Sequence, residues 1–383
     1  MKSVVIVSTA DLYYGNTAAV ARMNLYARAL ALANVDVYLL STDVLDIKKE
    51  WIEVEPHIFA LPKDRKKIDK GYNLFYVLGL VHQVKKRVKA IKGDVALLNY
   101  PSTRSLLLDI LLLLFCGRFS VFCEVNEVRR FASGSKGSMR DRVFCHILEK
   151  TYKYYKGVVF ISRNIQEYYA SKVKKSIIVP ILSDCDQPFI YSKGLDTLDI
   201  VFVGTVSYAK ENLEELFEGF LLFSKYHPDA RLHLYGTIRN SDKMRLEEFV
   251  ARTNMAETIR YHGAISHDEV REVLSSAGAL VLPRTNNNQN YYGFSTKLSE
   301  YAVSGAPIIM TNTGVVVDYF QDGTNCLMCE GYDRNAFKRK FDELVQMKIT
   351  EKEDMAKQAF LVAKKNFDYR IYSKSLYDLL LNS

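Results

Sequence analysis

The chain has 383 residues, 48% of them hydrophobic and 25% charged. That apolar content excludes a disordered segment, and the length excludes a single small module or a disulfide-stapled scaffold, so two domains of ordinary size are expected. The formal net charge of +8 is uneven: residues 1–185 carry 29 Lys and Arg against 17 Asp and Glu, and the remainder carries 23 against 27.

In chain order, the first half alternates short β-branched runs with helical patterns. A strand at Val4 to Ser8, a helix at about Thr17 to Ala33 and a strand at Val35 to Leu40 come first. Further strands are expected at Val95–Asn99, Phe119–Glu124, Gly157–Ile161 and Ser176–Val179. The rhythm is that of a parallel sheet. The opening apolar stretch, Val4 to Val7, is too short for a secretory leader. The greasiest run, Leu106 to Phe115, is ten residues long and contains Asp109, short of the roughly 18 apolar residues of a spanning helix. A cytoplasmic protein is expected.

Gly15 and Asn16 sit between the first strand and its helix, where glycine permits close approach of a backbone; a plain turn is the alternative. In VFCEVNEVRRF (121–131), Glu124, Asn126 and Glu127 fall at a strand end, the edge where doubly wound sheets bind ligands. Arg129 and Arg130 suit an acceptor phosphate or a solvated pair. The basic excess lies in KDRKK (63–67), KKRVK (85–89) and KVKK (172–175), without the stacking aromatics or folds of nucleic-acid readers. No nucleic-acid partner is expected. Solvated helix faces, or a face towards anionic lipid or a phosphate-bearing acceptor, remain.

Residues 180–198 (PILSDCDQPFIYSKGLDTL) break the rhythm with two prolines, a glycine and several Asp and Ser residues, which is linker chemistry. A second series follows, with strands at Asp199–Val203, Arg231–Tyr235, Ile259–Tyr261, Ala279–Leu282 and Pro307–Met310, a polar loop at 286–290 and a helical tail from about Asp333. In VFVGTVSYAKENLEELFEGF (201–220) the strand stops at Gly204. Lys210 then precedes an amphipathic helix, placed to neutralise a phosphate or simply to be solvated.

The most informative stretch is YGFSTKLSEYAVSGAPIIMT (292–311). A helix from about Thr296 to Ser304 would bury Leu298, Tyr301, Ala302 and Gly305 on one face. Glu300 lies about 200° from Leu298 and on the side of Thr296. Free N–H groups, hydroxyls and Lys297 at the helix start suit a phosphate, and a carboxylate one turn deeper suits the paired hydroxyls of a ribose. Together they describe a nucleoside diphosphate site; a capped surface helix with a solvated glutamate fits the same residues.

Other features are bland. Cys326 and Cys329 form CxxC without a second ligand pair or a helix start, so buried strand residues are expected rather than zinc or redox chemistry. His262 and His267, near a strand end, would line the nucleotide pocket or be structural. No metal-ligand spacing is present, so positive side chains and helix termini would have to stabilise a departing diphosphate.

VGTVSYAKENLEELFEGF, RLHLYG (231–236), YHGAISHDEVREVLSSAGALVLP (261–283) and YGFSTKLSEYAVSGAPIIMT occur in an order and spacing that resemble the donor domain of retaining GT-B glycosyltransferases. The family-four type enzymes of bacterial polysaccharide synthesis are most similar. The resemblance covers residues 198–330 well and the first half in outline.

The resemblance implies an α/β protein of GT-B architecture, two Rossmann-like doubly wound domains facing across a cleft. An acceptor-binding domain over 1–185, a linker over 186–197 and a donor-binding domain over 198–366 follow, with a last helix in 367–383 packing back on the first domain. It implies metal-independent transfer, without cofactor, from a nucleoside diphosphate sugar to a glycan or lipid-linked acceptor; the basic excess of the first half adds an expectation of peripheral membrane contact through that domain. Lys210, Lys297 and Glu127 take catalytic roles. Gly15, Asn16, Gly204, Thr205, Tyr292, Gly293, Phe294, Ser295, Thr296 and Glu300 bind the donor, and Glu124, Asn126, Arg129 and Arg130 the acceptor.

Two positions depart from the family. Thr205 stands where an arginine is frequent, and Tyr292 where an acid stands eight positions before Glu300. A nucleotide-sugar 2-epimerase of the same fold and a non-catalytic nucleotide-sugar binding subunit are the alternatives.

Overall fold

The structure, a computed structural model, describes residues 2–15, 17–42, 50–61, 74–101, 106–116, 119–132 and 139–382. Asn16 and the run KDRKK at 63–67 lie outside these residues. The chain forms two units, Met1–Leu182 with Asp368–Ser383, and Ser183–Phe367.

The N-terminal unit is built on strands β1 (Lys2–Ser8), β2 (Asp36–Ser41), β3 (Ile52–Glu55), β4 (Ile58–Ala60), β5 (Asp94–Asn99), β6 (Ser120–Val125), β7 (Val158–Phe160) and β8 (Ser176–Ile178). Their order is β3-β4-β2-β1-β5-β6-β7-β8. All neighbours are parallel except β3, which pairs antiparallel with β4. The central strands are apolar along their length because helices cover both faces. The β3–β4 hairpin at the sheet edge is too short, and too polar in IEVE, to show an alternation in sequence.

Chain direction sorts the helices. From β4 to β5, β5 to β6 and β6 to β7 the chain steps the same way along the sheet, so right-handed crossovers put helices Leu74–Ala90, Leu106–Phe115 and Met139–Thr151 on one face. The opposite step from β1 to β2 puts helix Ala18–Ala31 on the other. The last helix, Ser373–Leu381, packs beside it and buries Leu376, Leu379 and Leu380. Gly157 makes that approach possible, since a Cβ there would lie 2.8 Å from Leu379 Cδ1.

A buried ion pair ties this unit together. Arg22, on helix Ala18–Ala31, donates from Nε to Glu124 Oε1 at 2.5 Å, and from Nη2 to the Tyr26 hydroxyl at 2.6 Å and the Val179 carbonyl at 2.5 Å. One side chain thus joins the helix, the end of β6 and the strand exit beyond β8. Burial pushes the Glu124 carboxyl upward and the Arg22 charge opposes it. The expected acceptor role of Glu124 is therefore corrected: its carboxylate is sealed inside the unit as the counter-ion of Arg22.

The second unit has a six-stranded parallel sheet of β9 (Asp199–Val203), β10 (Arg231–Tyr235), β11 (Ile259–Gly263), β12 (Ala279–Leu282), β13 (Ile308–Thr311) and β14 (Leu327–Cys329), in the order β11-β10-β9-β12-β13-β14. Strand order reverses between β9 and β12, and doubly wound sheets bind ligands outside the carboxyl ends at such a reversal. Residues 186–197 are strapped to this unit: Ser192 donates from its amide to the Gly305 carbonyl and from Oγ to the Ala277 carbonyl, and the Lys193 amide bonds the Ser275 carbonyl. Proline and glycine stop regular structure there without loosening the chain.

Removing one partner of the Arg22–Glu124 pair strands a buried charge, a loss of about 3–5 kcal/mol. Arg22→Ala and Glu124→Ala should each lower the thermal unfolding midpoint by several degrees; midpoints equal to wild type would contradict the structural role.

Candidate functional site

At the strand reversal β9 is followed by Gly204, whose φ of +143° lies in the region only glycine adopts freely. A Cβ there would lie 2.0 Å from Lys297 Cε, so the lysine chain crosses directly over the glycine. Lys297 opens the short helix Lys297–Ala302 and ends at Glu211 Oε1, 2.5 Å away, with its ammonium 4.3 Å from the centre of the Phe202 ring. Arg284, just after β12, reaches the same carboxylate oxygen at 3.3 Å and donates to Ser295 Oγ at 2.6 Å. Two cations from separate loops therefore converge on one carboxylate that is only 1% exposed.

The charges are unequal in number, and that matters for chemistry. Glu211 balances one cation, so Arg284 and Lys297 together leave a surplus of positive charge at the carboxyl edge of the sheet. Burial, with the nearby guanidinium of Arg284, holds the Lys297 ammonium below the lysine range at about 8, against the opposing pull of Glu211. At neutral pH it keeps its proton.

Neighbouring residues fix this group. Tyr301, buried on the same short helix, accepts from the Val203 amide at 2.8 Å and donates to the Val203 carbonyl at 3.2 Å, clamping the helix to the end of β9. Asn290 Nδ2 donates to the Lys210 carbonyl at 2.9 Å, and Thr285 Oγ1 donates to it at 3.0 Å, so the backbone carrying Lys210 is held to the loop after β12. The stretch expected as a polar loop in fact contains a helical turn, Asn288–Tyr292, capped by Asn287.

Gly204, Lys210, Ser295, Thr296 and Lys297 thus lie around the strand reversal, with Glu300 exposed on the helix that begins at Lys297. The helix is shorter than expected, and the amides of Leu298 and Ser299 are spent on the Ser295 and Thr296 carbonyls. Only the Ser295–Lys297 amides precede them. Thr205 is exposed beside Thr237, its Oγ1 3.5 Å from the neighbouring hydroxyl. Gly293 closes the turn after Tyr292, donating to the Gln289 carbonyl. Phe294 is corrected: its ring is buried against Tyr319 and Phe367, so it packs the core and offers no side chain to a donor.

In the N-terminal unit Gly15 closes a turn onto the Asp11 carbonyl, and a Cβ there would crowd it at 2.8 Å. At the end of β6, Asn126 donates to the Tyr100 hydroxyl, and partly exposed Glu127 pairs with Arg129 at 3.2 Å. Arg130 donates from Nε and Nη2 to the two Glu149 oxygens, both at 2.8 Å, where Lys172 also binds, and its side chain stays partly exposed. His262 stacks on Tyr235 and bonds His233 at 2.9 Å, and the side chain of His267 lies outside the described residues. Cys326 and Cys329 are buried at β14, with thiols pushed up to about 12 by desolvation. Among the described residues no group of three metal-ligating side chains is placed to hold a metal ion, and no helix is long and apolar enough to cross a membrane.

Residues missed by sequence reading are Glu211, Arg284, Tyr301 as a clamp, and Asn290. Glu211 adjoins Lys210 in a charged run and Arg284 follows a proline, so only the fold brings them together.

Residues 186–361 match the family described as glycosyl transferases group 1. A 2-deoxystreptamine N-acetyl-D-glucosaminyltransferase of Niallia circulans is 24% identical over 234 residues, 57% of this chain and 56% of the relative, so the match spans just over half the relative's length. Among solved structures, sucrose-phosphate synthase of Thermosynechococcus elongatus is similar with a TM-score of 0.74 at 14% identity, covering 99% of this chain and 98% of that one. Anabaena HepE in complex with UDP is similar at 0.69 and 11%, covering 99% of each. The fold is the GT-B architecture, with two parallel-sheet, Rossmann-like domains.

Gly204→Ala puts a side chain into both a glycine-only conformation and the path of Lys297, which costs about 1–3 kcal/mol from the backbone alone. Its unfolding midpoint should fall, and the Lys297 titration near 8, followed by NMR of the labelled lysine, should move. A variant with both unchanged would remove the crossing of these residues from the site.

Proposed function

We propose that this chain, whose C-terminal unit belongs to the group 1 glycosyltransferases, moves a sugar from a nucleoside diphosphate sugar to a glycan or lipid-linked acceptor with retention of configuration. The observation that carries the proposal is the convergence of Arg284 and Lys297, with Lys210 nearby, at the strand reversal of the C-terminal sheet. The similar Anabaena HepE structures are complexes with UDP and with UDP-glucose, and the Niallia circulans relative is an N-acetyl-D-glucosaminyltransferase. UDP-sugars are thus the donors to test first, and cell-surface polysaccharide synthesis is the proposed setting.

In this mechanism the C1–O bond to the diphosphate breaks, and Arg284, Lys297, Lys210 and the Ser295–Lys297 amides take up the charge that develops on the leaving oxygens. The protein's own cations do this work, without a resident metal. Glu300 accepts from the ribose hydroxyls. The acceptor hydroxyl attacks C1 on the face the diphosphate leaves, its oxygen forming the new bond, and its proton passes to a leaving phosphate oxygen. Glu127, with Asn126 and Arg129, orients the acceptor on the N-terminal unit. Arg284 supplies the cation that Thr205 does not, which favours catalysis over the binding-only alternative. Tyr292 remains the position that would favour a binding subunit, and UDP binding without turnover of any UDP-sugar would select it. Isomerised sugar nucleotide would select the 2-epimerase.

Each charged contact to a diphosphate or ribose is worth about 1.5–3 kcal/mol. Arg284→Ala and Glu300→Ala should each weaken UDP binding by at least about tenfold in calorimetric titration; wild-type affinity in both would refute the assignment. The Lys297 ammonium is held at about 8, so its charge is present below that pH and lost above it. UDP affinity should therefore fall as pH rises through about 8, and Lys297→Arg, which stays charged, should flatten the fall. A flat wild-type profile would contradict a role for Lys297 charge in binding.

A further inference from the structure

We propose that Glu211 is a resting anion that competes with the diphosphate for Arg284 and Lys297. Arg284 passes from Glu211 to the diphosphate when the nucleotide arrives and returns to Glu211 when it leaves. This exchange rests on the nucleotide site argued above and adds how that site releases its product.

Glu211 holds its two cations unequally. Lys297 Nζ donates to Oε1 at 2.5 Å, its stem crossing Gly204 and its ammonium sitting over the Phe202 ring. Arg284 Nη1 comes to the same oxygen only at 3.3 Å, longer than the roughly 2.7–2.9 Å of a charge-assisted hydrogen bond. Its better bond runs elsewhere, from Nη2 to Ser295 Oγ at 2.6 Å, while Nη1 also lies 3.4 Å from Asn290 Oδ1. The two parallel bonds by which a guanidinium grips a carboxylate are not made, although Glu211 has an oxygen to spare: Oε2 is buried and meets no hydrogen-bond partner among the described residues. Arg284 is also the more open partner, its side chain 17% exposed against 1% for Glu211. An arriving anion therefore meets the loosely held cation and not the carboxylate behind it.

A diphosphate offers oxygens that accept both forks of a guanidinium side by side, so it outcompetes Glu211 for Arg284. The Lys297 ammonium has three donors and keeps Glu211 while turning another to the ligand. When the nucleotide departs, the sealed carboxylate takes Arg284 back, and throughout it subtracts from the pull on the bound anion. The charges of Glu211, Arg284 and Lys297 sum to +1, and neutralising Glu211 makes the sum +2. Competition therefore predicts that loss of the Glu211 charge tightens nucleotide binding. A carboxylate that only held the cations in place would predict the opposite, because they would scatter without it.

Calorimetric titration of the full chain with UDP at pH 6 reads that sign. Glu211→Gln keeps the shape and the Oε1 acceptor, and should bind UDP about tenfold more tightly than wild type. Arg284→Gln should bind about tenfold more weakly, and the double variant, whose charges again sum to +1, should return to about the wild-type affinity. Removing one partner of a buried pair can unfold a protein; if Glu211→Gln does not fold, the double variant against Arg284→Gln gives the same sign. The pH profile supplies a second readout. Lys297 faces Glu211 and Lys210 from the loop after β9 and Arg284 from the loop after β12, and of these only Glu211 raises its pKa. In Glu211→Gln the fall in UDP affinity should therefore move below the wild-type pH of about 8. If wild type binds UDP but Glu211→Gln binds it no more tightly, or the double variant no more tightly than Arg284→Gln, the exchange is overturned and the nucleotide site stands. Wild type that binds UDP no better than uridine removes both.

Discussion

Glu211 sits where the strand order of the C-terminal sheet reverses, almost sealed from solvent, and its Oε1 receives both Lys297 and Arg284. A lone carboxylate in that position would be expelled or neutralised by burial. With two cations on it the site is held together yet keeps a positive surplus, which is the condition for receiving a diphosphate. Everything around it serves that geometry. Gly204 lets the Lys297 chain pass over the strand end, Tyr301 clamps the helix that carries Lys297 and Glu300 to Val203, and Asn290 holds the backbone at Lys210. The β9–β12 reversal places these loops side by side, and a parallel sheet does so without any contribution from their own side chains.

The N-terminal unit separates its charges differently. Two of its carboxylates, Glu124 and Glu149, are consumed inside the fold by Arg22, and by Arg130 with Lys172. These pairs tie elements of the unit together and take two carboxylates off its surface. Glu127, Asn126 and Arg129 stay together at the end of β6, at the carboxyl edge that suits a ligand. The overall basic charge of the chain is thus a surface property of one unit, and the anion site of the other depends on a few placed groups.

Much of the fold was legible because its signals are periodic. Eleven strand runs were read as β-branched or apolar segments, and the buried face of Leu298, Tyr301 and Ala302 followed from helical spacing. Position along the chain also pointed to Gly204, Lys210 and the Ser295–Glu300 block, since strand ends and helix starts are where doubly wound sheets bind. What stayed hidden depends on which side chains meet across loops. Glu124 and Glu211 look alike in sequence, both acidic and near strand ends, yet one is a structural counter-ion and the other organises the site. Arg284 carries no motif, and its place opposite Glu211 appears only when β9 and β12 become neighbours. The β3–β4 hairpin escaped for a simpler reason: three or four residues at a sheet edge bury too little to leave a pattern.

The central claim is that the cations at the strand reversal recognise a diphosphate, and comparing UDP with uridine by calorimetric titration tests it most directly. If Arg284, Lys297 and Lys210 hold the diphosphate, UDP should bind at least about a hundredfold more tightly than uridine, and added salt should narrow the difference. Equal affinities for the two, or UDP binding indifferent to salt, would contradict the account.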